Sequence, residues 1–126
     1  MKQKVLIISF ITLILDLITK FIVFSFDKFE NSFVVIKDFF KITPIKNYGA
    51  AFSTFENMNL LLITISVIIL IYLLYSLNKV KNTKINALTY GILIGGLLGN
   101  LTDRIILGYV RDFLSFKIFS LKLPLL

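Results

Sequence analysis

Residues 91–113 read GILIGGLLGNLTDRIILGYVRDF, an apolar run into which five polar or charged residues are set: Asn100, Asp103, Arg104, Arg111 and Asp112. A run of this length and composition predicts a membrane-spanning helix, which we place at residues 87–109. Ionisable side chains are costly inside a bilayer, so those found there are functional candidates by default. This stretch therefore predicts both the class of fold and the region of the site.

Three glycines of this run lie on one side of the predicted helix. At about 100° per residue, Gly91, Gly95 and Gly99 form a slowly drifting ridge. Asp103 continues the ridge and Asn100 lies beside it. Small residues spaced by four let transmembrane helices bring their backbones together, because lipid offers no hydrophobic drive for helix association. We therefore expect the ridge to face another helix and Asp103 to point into protein.

The composition fits a single-domain membrane protein. The 126 residues are 57% hydrophobic with a mean hydropathy of +0.89, and they include no cysteine and no histidine. Soluble domains average about 45–50% apolar residues. The absent residue types exclude a disulfide framework, a thiol nucleophile, a Ser-His pair and the usual zinc or haem ligands. Acid–base chemistry is left to Asp, Glu, Lys or Tyr.

The charge pattern indicates topology and not nucleic-acid binding. The net charge is +7, but the basic residues stand at the ends of apolar runs and form no interleaved basic and aromatic patch. The loop at residues 78–86 carries Lys79, Lys81 and Lys84 without an acid, and the N-terminus carries two more lysines. The positive-inside rule places both in the cytoplasm.

The apolar runs divide the chain into alternating membrane and aqueous segments. Two further spans are predicted, at residues 5–26 and 60–77, each about long enough at 1.5 Å per residue to cross the hydrocarbon core. The segments at residues 27–59 and 110–126 are then extracytoplasmic, and no fourth span is predicted. Within the first of these, Phe33 to Ile36 and Phe39 to Ile45 are rich in β-branched and aromatic residues and predict a small hairpin-like element.

Two polar groups outside residues 91–113 are further candidates. Asp16 and Lys20 are four apart in the first span and so share a face, either as a pair that helps the helices pack or as part of a site. Asn47 begins the sequence Asn-Tyr-Gly-Ala-Ala-Phe, in which Gly49 permits a positive φ or close backbone approach. Alone, that sequence is typical of an ordinary turn.

The acidic residues offer few pairs for hydrolytic chemistry. Two carboxylates that share a proton can activate water and protonate a leaving group. Asp103 and Asp112, however, lie nine residues apart, which on one straight helix is about 180° and about 13.5 Å. A pair between them needs a sharp reversal near Gly108 that nothing else in the sequence indicates. The residues alone make Asp112 an interfacial carboxylate without an identified partner, which we expect to stay largely ionised.

Four motifs follow one another along the chain. They are Asp16-Leu17-Ile18-Thr19-Lys20, Asn47-Tyr48-Gly49-Ala50-Ala51-Phe52, Gly95-Gly96-Leu97-Leu98-Gly99-Asn100-Leu101-Thr102-Asp103-Arg104 and Gly108-Tyr109-Val110-Arg111-Asp112-Phe113. By these motifs, and by their order, the chain resembles lipoprotein signal peptidase, or signal peptidase II, a membrane aspartic endopeptidase of bacteria.

The resemblance implies an all-α polytopic protein of the bacterial cytoplasmic membrane, with four helices, cytoplasmic termini and a small extracytoplasmic β-cradle formed by the segment at residues 27–59. It implies an enzyme that removes signal peptides from prolipoproteins immediately before a lipid-modified cysteine, with two aspartates and no metal or other cofactor. The first catalytic aspartate matches Asp112. The matching residues that support the site or contact substrate are Asn47, Gly49, Asn100, Asp103, Arg104, Asp16 and Lys20.

The family's second catalytic aspartate lies in a Phe-Asn-x-Ala-Asp motif that opens the fourth helix, and this sequence reaches Leu126 before such a motif. We expect a truncated reading frame or a fragment, inactive without the missing helix. Two other hypotheses stay open. A small transporter or channel subunit could use the same intramembrane polar residues without proteolysis, or those residues could serve packing alone.

Overall fold

The computed structural model describes residues 1–25, 33–37, 39–49, 55–118 and 121–125. In this part of the chain there are three helices, α1 (Lys2–Ser25), α2 (Asn59–Ser76) and α3 (Lys84–Ile106). There are also four strands, β1 (Phe33–Ile36), β2 (Phe40–Asn47), β3 (Val110–Ile118) and β4 (Leu121–Leu125). The predicted end of the first helix at residue 26, the chain from 27 to 32 and residues 50–52 of the predicted turn lie outside the described residues.

The three predicted spans are confirmed as helices, with ends that differ from the prediction by up to three residues. Each has the length and composition to cross a membrane, and their most apolar windows have mean hydropathies of 2.4, 2.3 and 1.3. Large apolar side chains such as Leu6, Phe21 and Leu60 stand exposed on the helix surfaces. Exposed apolar faces of this extent are what a bilayer would cover.

The glycine ridge of α3 packs against α1, as the sequence predicted. A Cβ placed on Gly91 would collide with Ile8, and one on Gly95 would meet Thr12 and the backbone carbonyl of Ser9. Further along, a Cβ on Gly99 would collide with Asp16. The contacts advance in the same direction along both helices, so α1 and α3 run parallel. Only the absence of side chains on this ridge allows so close an approach.

Helix α3 begins with a cap at one end of the bundle. The hydroxyl of Thr83 accepts a 3.1 Å hydrogen bond from the backbone N–H of Asn86, which satisfies one of the free N–H groups of the first turn. Apolar side chains pack together nearby, with Val5 and Leu77 against Ala87 and Ile94. This cluster joins all three helices at the end of the bundle that carries the N-terminus of α1.

At its other end α3 stops at Ile106, and the chain reverses. The backbone N–H of Leu107 donates to the carbonyl of Asp103 and that of Gly108 donates to the carbonyl of Arg104, at 2.7 and 3.2 Å. Gly108 has φ +85°, in the left-handed region that glycine adopts without steric cost. The chain therefore turns back sharply at Gly108, a reversal that no other feature of the sequence indicated, and continues directly into β3, where the backbone N–H of Arg111 reaches the side chain of Asp103.

The strands form one antiparallel sheet in the order β1-β2-β3-β4. The predicted hairpin-like element corresponds to β1 and β2. No strand was predicted within residues 110–126, but β3 and β4 in this segment supply half of the sheet. The pattern in this segment is short and interrupted by Pro124, so its periodicity was not recognised. The cradle expected from residues 27–59 is thus completed by a second segment.

Candidate active site

The pairing of β2 with β3 buries the carboxyl group of Asp112. This side chain is 1% exposed, and its residue faces Ile45 across the two strands. The amide of Asn47 donates a 2.8 Å hydrogen bond to Oδ2 of Asp112. The second oxygen, Oδ1, is also buried and has no hydrogen-bond partner among the described residues. A buried acidic oxygen without a partner is costly and indicates a site built for a further group.

The amide of Asn47 is itself held in place by the turn that follows β2. Its Oδ1 accepts a 2.9 Å hydrogen bond from the backbone N–H of Gly49, which is an Asx-type turn. The guanidinium of Arg104 donates to the carbonyl of Gly49 at 3.1 Å. The carbonyl of Arg104 in turn accepts a 3.0 Å bond from the side chain of Asn59 at the start of α2. Two helices therefore fix the amide that faces Asp112.

Burial raises the pKa of Asp112 from the ordinary 3.8 to about 6. The nearby charge of Asp103 acts in the same direction, while the hydrogen bond from Asn47 and the positive charges of Lys20 and Arg104 lower the pKa and only partly offset the burial. At pH 7 a carboxyl with this pKa is still largely ionised, but it titrates much closer to neutral pH than an exposed aspartate does. The sheet removes Asp112 from water, and the carboxyl can therefore bind or release a proton near neutral pH.

Asp103 lies in the last turn of α3, and both of its carboxylate oxygens are bound by basic side chains. Arg111 gives it three hydrogen bonds: the backbone N–H and Nε reach Oδ2 at 3.0 and 3.3 Å, and Nη2 reaches Oδ1 at 2.9 Å. The ammonium of Lys20 lies 3.3 Å from Oδ2. Because both oxygens are occupied by cations, Asp103 is suited to hold the start of β3 and not to exchange a proton with substrate.

Lys20 of α1 connects the remaining polar residues of the bundle. Its ammonium lies 2.8 Å from Oδ2 of Asp16, donates to Oδ1 of Asn100 at 2.9 Å and is 2% exposed. We call Asp16, Lys20, Asn100, Asp103 and Arg111 the Lys20 network. It joins α1, α3 and β3 by charge-assisted bonds around the buried side chains of Lys20 and Asp103, where such bonds are strong and leaving one unpaired is costly.

The structure places every candidate residue in one of two adjoining groups. Asn47, Gly49 and Arg104 surround Asp112, whereas Asp16, Lys20, Asn100 and Asp103 belong to the Lys20 network. Arg111 joins the groups, since it binds Asp103 and directly precedes Asp112.

Arg111 was noted in the sequence as an ionisable residue of this stretch but was assigned no role in the site, because its contact with Asp103 depends on the reversal at Gly108. Gly108 was the one feature of the sequence that could have indicated this contact. Among the described residues, no three acidic side chains are gathered in a way that could hold a metal ion.

These features define a class of protein: a polytopic membrane protein with a buried, protonatable carboxyl group where a small sheet meets the helix ends. A sequence profile of the family described as signal peptidase (SPase) II matches residues 8–125. The chain belongs to the signal peptidase II family.

Two relatives and one solved structure are similar to this chain over most of its length. The lipoprotein signal peptidase of Caldanaerobacter subterraneus subsp. tengcongensis is 39% identical over 117 residues, which are 93% of this chain and 80% of that protein. That of Halothermothrix orenii is 40% identical over 114 residues, 90% of this chain and 79% of that protein. A bacterial membrane enzyme solved by the in meso method at 2.3 Å resolution superposes with a TM-score of 0.80 at 32% identity, covering 96% of this chain and 74% of that one.

Proposed function

We propose that this chain is a membrane aspartic endopeptidase that removes signal peptides from bacterial prolipoproteins at the lipid-modified cysteine, with Asp112 as one of its two catalytic carboxylates. The assignment of Asp112 rests on one observation, the hydrogen bonding of its two carboxyl oxygens. One oxygen is fixed by Asn47, and the other is buried without a partner among the described residues. That second oxygen is where a water molecule or a shared proton would bind.

The chemistry requires a second carboxyl group near Asp112. Hydrolysis of an amide needs water to lose a proton and the leaving nitrogen to gain one, and two carboxyls that share one proton can serve both steps. Asp103 is a poor second member, because Arg111 and Lys20 occupy its oxygens. Asp16 is paired with Lys20. We propose that the second aspartate belongs to a fourth helix that follows Leu126, as in the family.

The other candidate residues have supporting roles in this proposal. Asn47 orients Asp112 and favours its ionised form, and Arg104 holds the turn at Gly49 from which Asn47 is positioned. The Lys20 network fixes the chain at Arg111, one residue before Asp112. A catalytic carboxyl held in this way keeps its geometry when substrate arrives.

The position of Asp112 suits a substrate that is itself a membrane helix. It lies just beyond the end of α3, so a signal peptide that spans the bilayer could present its end to Asp112 while its lipid stays among the surrounding lipids. We propose that this end faces the outside of the cell and that the N-terminus and the loop at residues 77–83 face the cytoplasm, because uncompensated lysines flank only that end.

The topology is tested with single cysteines, since the chain has none of its own. An impermeant maleimide applied to intact cells should label Lys41→Cys and not Lys81→Cys, and permeabilised cells should allow both to react. Labelling of position 81 alone in intact cells reverses the assignment.

The catalytic assignment is tested with three purified proteins and a lipid-modified prolipoprotein substrate. They are the chain ending at Leu126, that chain extended by the fourth helix of a family member, and the extended chain with Asp112→Asn. We expect cleavage by the unmutated extended chain only. An extended Glu56→Gln protein is the matched control, because Glu56 is exposed and should leave cleavage unchanged.

Each contrary outcome has its own meaning. Cleavage by Asp112→Asn removes Asp112 from the catalytic pair. Cleavage by the chain ending at Leu126 shows that the second carboxyl lies within these 126 residues. Ion or solute flux through reconstituted protein, with no cleavage by any variant, supports the transporter hypothesis instead.

A further inference from the structure

We propose that a cleft between the three helices, at the end of the bundle opposite Asp112, binds one anionic phospholipid from the surrounding bilayer. The cleft has a volume of about 510 Å³, within the range of about 300–1,000 Å³ usual for small-molecule sites. Its walls are formed by α1, α2 and α3 and are mainly apolar, and the residues that matter here are Lys2, Leu6, Ser9, Leu70, Leu74 and Ile94.

The shape and lining of the cleft suit an acyl chain. Leu6 and Leu74 stand on either side, and both are substantially exposed, so the cleft opens toward the lipid that surrounds the helices. Ile94 of α3 is buried in its floor. An acyl chain that moved into the cleft from the bilayer would exchange contacts with mobile lipid chains for contacts with three packed helices.

The hydroxyl of Ser9 gives the cleft a polar group that lacks a partner. Ser9 is buried, and its Oγ makes no hydrogen bond with any described residue. Ser66 of α2, by comparison, donates to the carbonyl four residues earlier at 2.8 Å. The backbone of Ser9 is held against Gly95, so the residue cannot easily turn away. A ligand that offers a carbonyl oxygen, such as an acyl ester, would satisfy this hydroxyl.

The charge at this end of the bundle selects an anionic head group. Lys2 lies at the mouth of the cleft, about 10 Å along α1 from Ser9. Lys4 and the lysines of the neighbouring loop, Lys79 and Lys81, are exposed at the same end. The sequence has no acidic residue before Asp16 or between Glu56 and Asp103 to offset them. A phosphodiester without an amine of its own is the matching partner.

The absence of tryptophan makes a direct binding test possible. Leu74→Trp places one fluorophore in the cleft, and Tyr72→Trp places one on the lipid-facing surface of the same helix. Each protein is reconstituted in bilayers containing equal fractions of brominated phosphatidylglycerol or brominated phosphatidylcholine, which quench on contact. We expect anionic lipid to quench Leu74→Trp with several-fold higher apparent affinity than zwitterionic lipid, and to quench Tyr72→Trp no better.

Two substitutions assign the preference to the cleft. In the Leu74→Trp background, Lys2→Gln should reduce the anionic preference about five-fold, the effect of one lysine near a membrane surface. Lys37→Gln removes the same charge at the opposite end of the bundle and should leave the preference unchanged. Ser9→Ala should weaken quenching by both lipids. Leu70→Trp repeats the measurement from a second wall if Leu74→Trp fails to fold, as judged by circular dichroism.

Three results would overturn the proposal. Equal quenching of the cleft tryptophan by the two lipids means that the cleft does not select a head group. A preference that survives Lys2→Gln but falls with Lys37→Gln places the selection elsewhere. A cleft tryptophan that neither lipid can quench means that protein fills the cleft, either another segment or a second copy. All of these readouts are independent of peptidase activity.

Discussion

Asn47 and Asp112 stand 65 residues apart in the sequence, yet the amide of one donates a 2.8 Å hydrogen bond to the carboxyl of the other inside the β2–β3 pair. Because the bond is made to the ionised form, it lowers the pKa of Asp112 against the effect of burial. Removing it should therefore raise that pKa above about 6.

The first prediction concerns the pH dependence of cleavage. In the chain extended by a fourth helix, Asn47→Ala should move the bell-shaped profile of kcat/KM to higher pH by about one unit, since a hydrogen bond to a charged group is worth about 1.5–3 kcal/mol. The profile reports the carboxyl pair and not either residue alone. Asn86→Ala removes an amide that donates to the carbonyl of Lys81, at the other end of α3, and should leave the profile in place. A shift to lower pH contradicts the role given to Asn47.

The second prediction concerns stability and follows from the same raised pKa. Folding favours the protonated form of Asp112, so this stabilisation is full below pH 3.8 and is lost as the pH rises through about 6. Asp112→Asn cannot ionise. At pH 8 it should be more stable than the parent protein by up to about 3 kcal/mol, and the difference should shrink toward pH 4.

Detergent-solubilised protein unfolded at a series of pH values measures this difference. Glu56→Gln is the control, because a substitution at an exposed position should change the free energy of unfolding by no more than about 0.5 kcal/mol. An Asp112→Asn protein that is less stable than the parent at pH 8, with the deficit disappearing toward pH 4, would show that Asp112 is stabilised in its ionised form.

The third prediction compares two adjacent glycines of α3. Gly95→Ala brings a methyl group against the backbone carbonyl of Ser9, which cannot move without displacing α1, whereas a methyl group on Gly96 meets no atom within 4 Å. Both substitutions raise helix propensity by about 1 kcal/mol. Thermal unfolding should therefore show a loss of stability for Gly95→Ala and no loss, or a gain, for Gly96→Ala. Equal effects would mean that α1 and α3 do not pack through this ridge.

The features that the sequence predicted well depend on local periodicity. The three spans followed from the lengths of apolar runs, and the side of α3 that faces α1 followed from the four-residue spacing of Gly91, Gly95 and Gly99. Both properties are contained in consecutive residues. The pairing of Asp16 with Lys20 has the same origin, because residues four apart on a helix are neighbours.

The features that the sequence predicted poorly depend on contacts between segments that are far apart in the chain. The register that sets Asp112 opposite Ile45 cannot be read from β3 alone, and that register is what buries the carboxyl. The reversal at Gly108 decides whether Arg111 reaches Asp103, yet a single glycine after a helix is compatible with several chain directions. The role proposed for Asp112 came from the resemblance to signal peptidase II, because geometry inferred from the sequence did not supply one.

The last prediction concerns the Lys20 network. Lys20→Met keeps an unbranched apolar stem but removes the cation that contacts Asp16, Asn100 and Asp103 in the interior of the bundle. Removing one member of a buried charge pair leaves the other without compensation, at a cost of about 3–5 kcal/mol. Lys4→Met on the exposed part of the same helix should cost less than about 0.5 kcal/mol.

A double-mutant cycle separates this network from simple packing. If Lys20 acts through the charge of Asp103, Asp103→Asn should cost less in the Lys20→Met background than in the parent, with a coupling of about 0.5–3 kcal/mol. The same cycle between Lys4→Met and Asp103→Asn should be additive, because Lys4 lies near the opposite end of α1. The measurement is the free energy of unfolding, in one detergent, of six proteins: the parent, the three single variants and the two double variants. Additivity in the Lys20 cycle would mean that the 3.3 Å approach of Lys20 to Asp103 contributes no stability and that Arg111 alone holds the carboxylate.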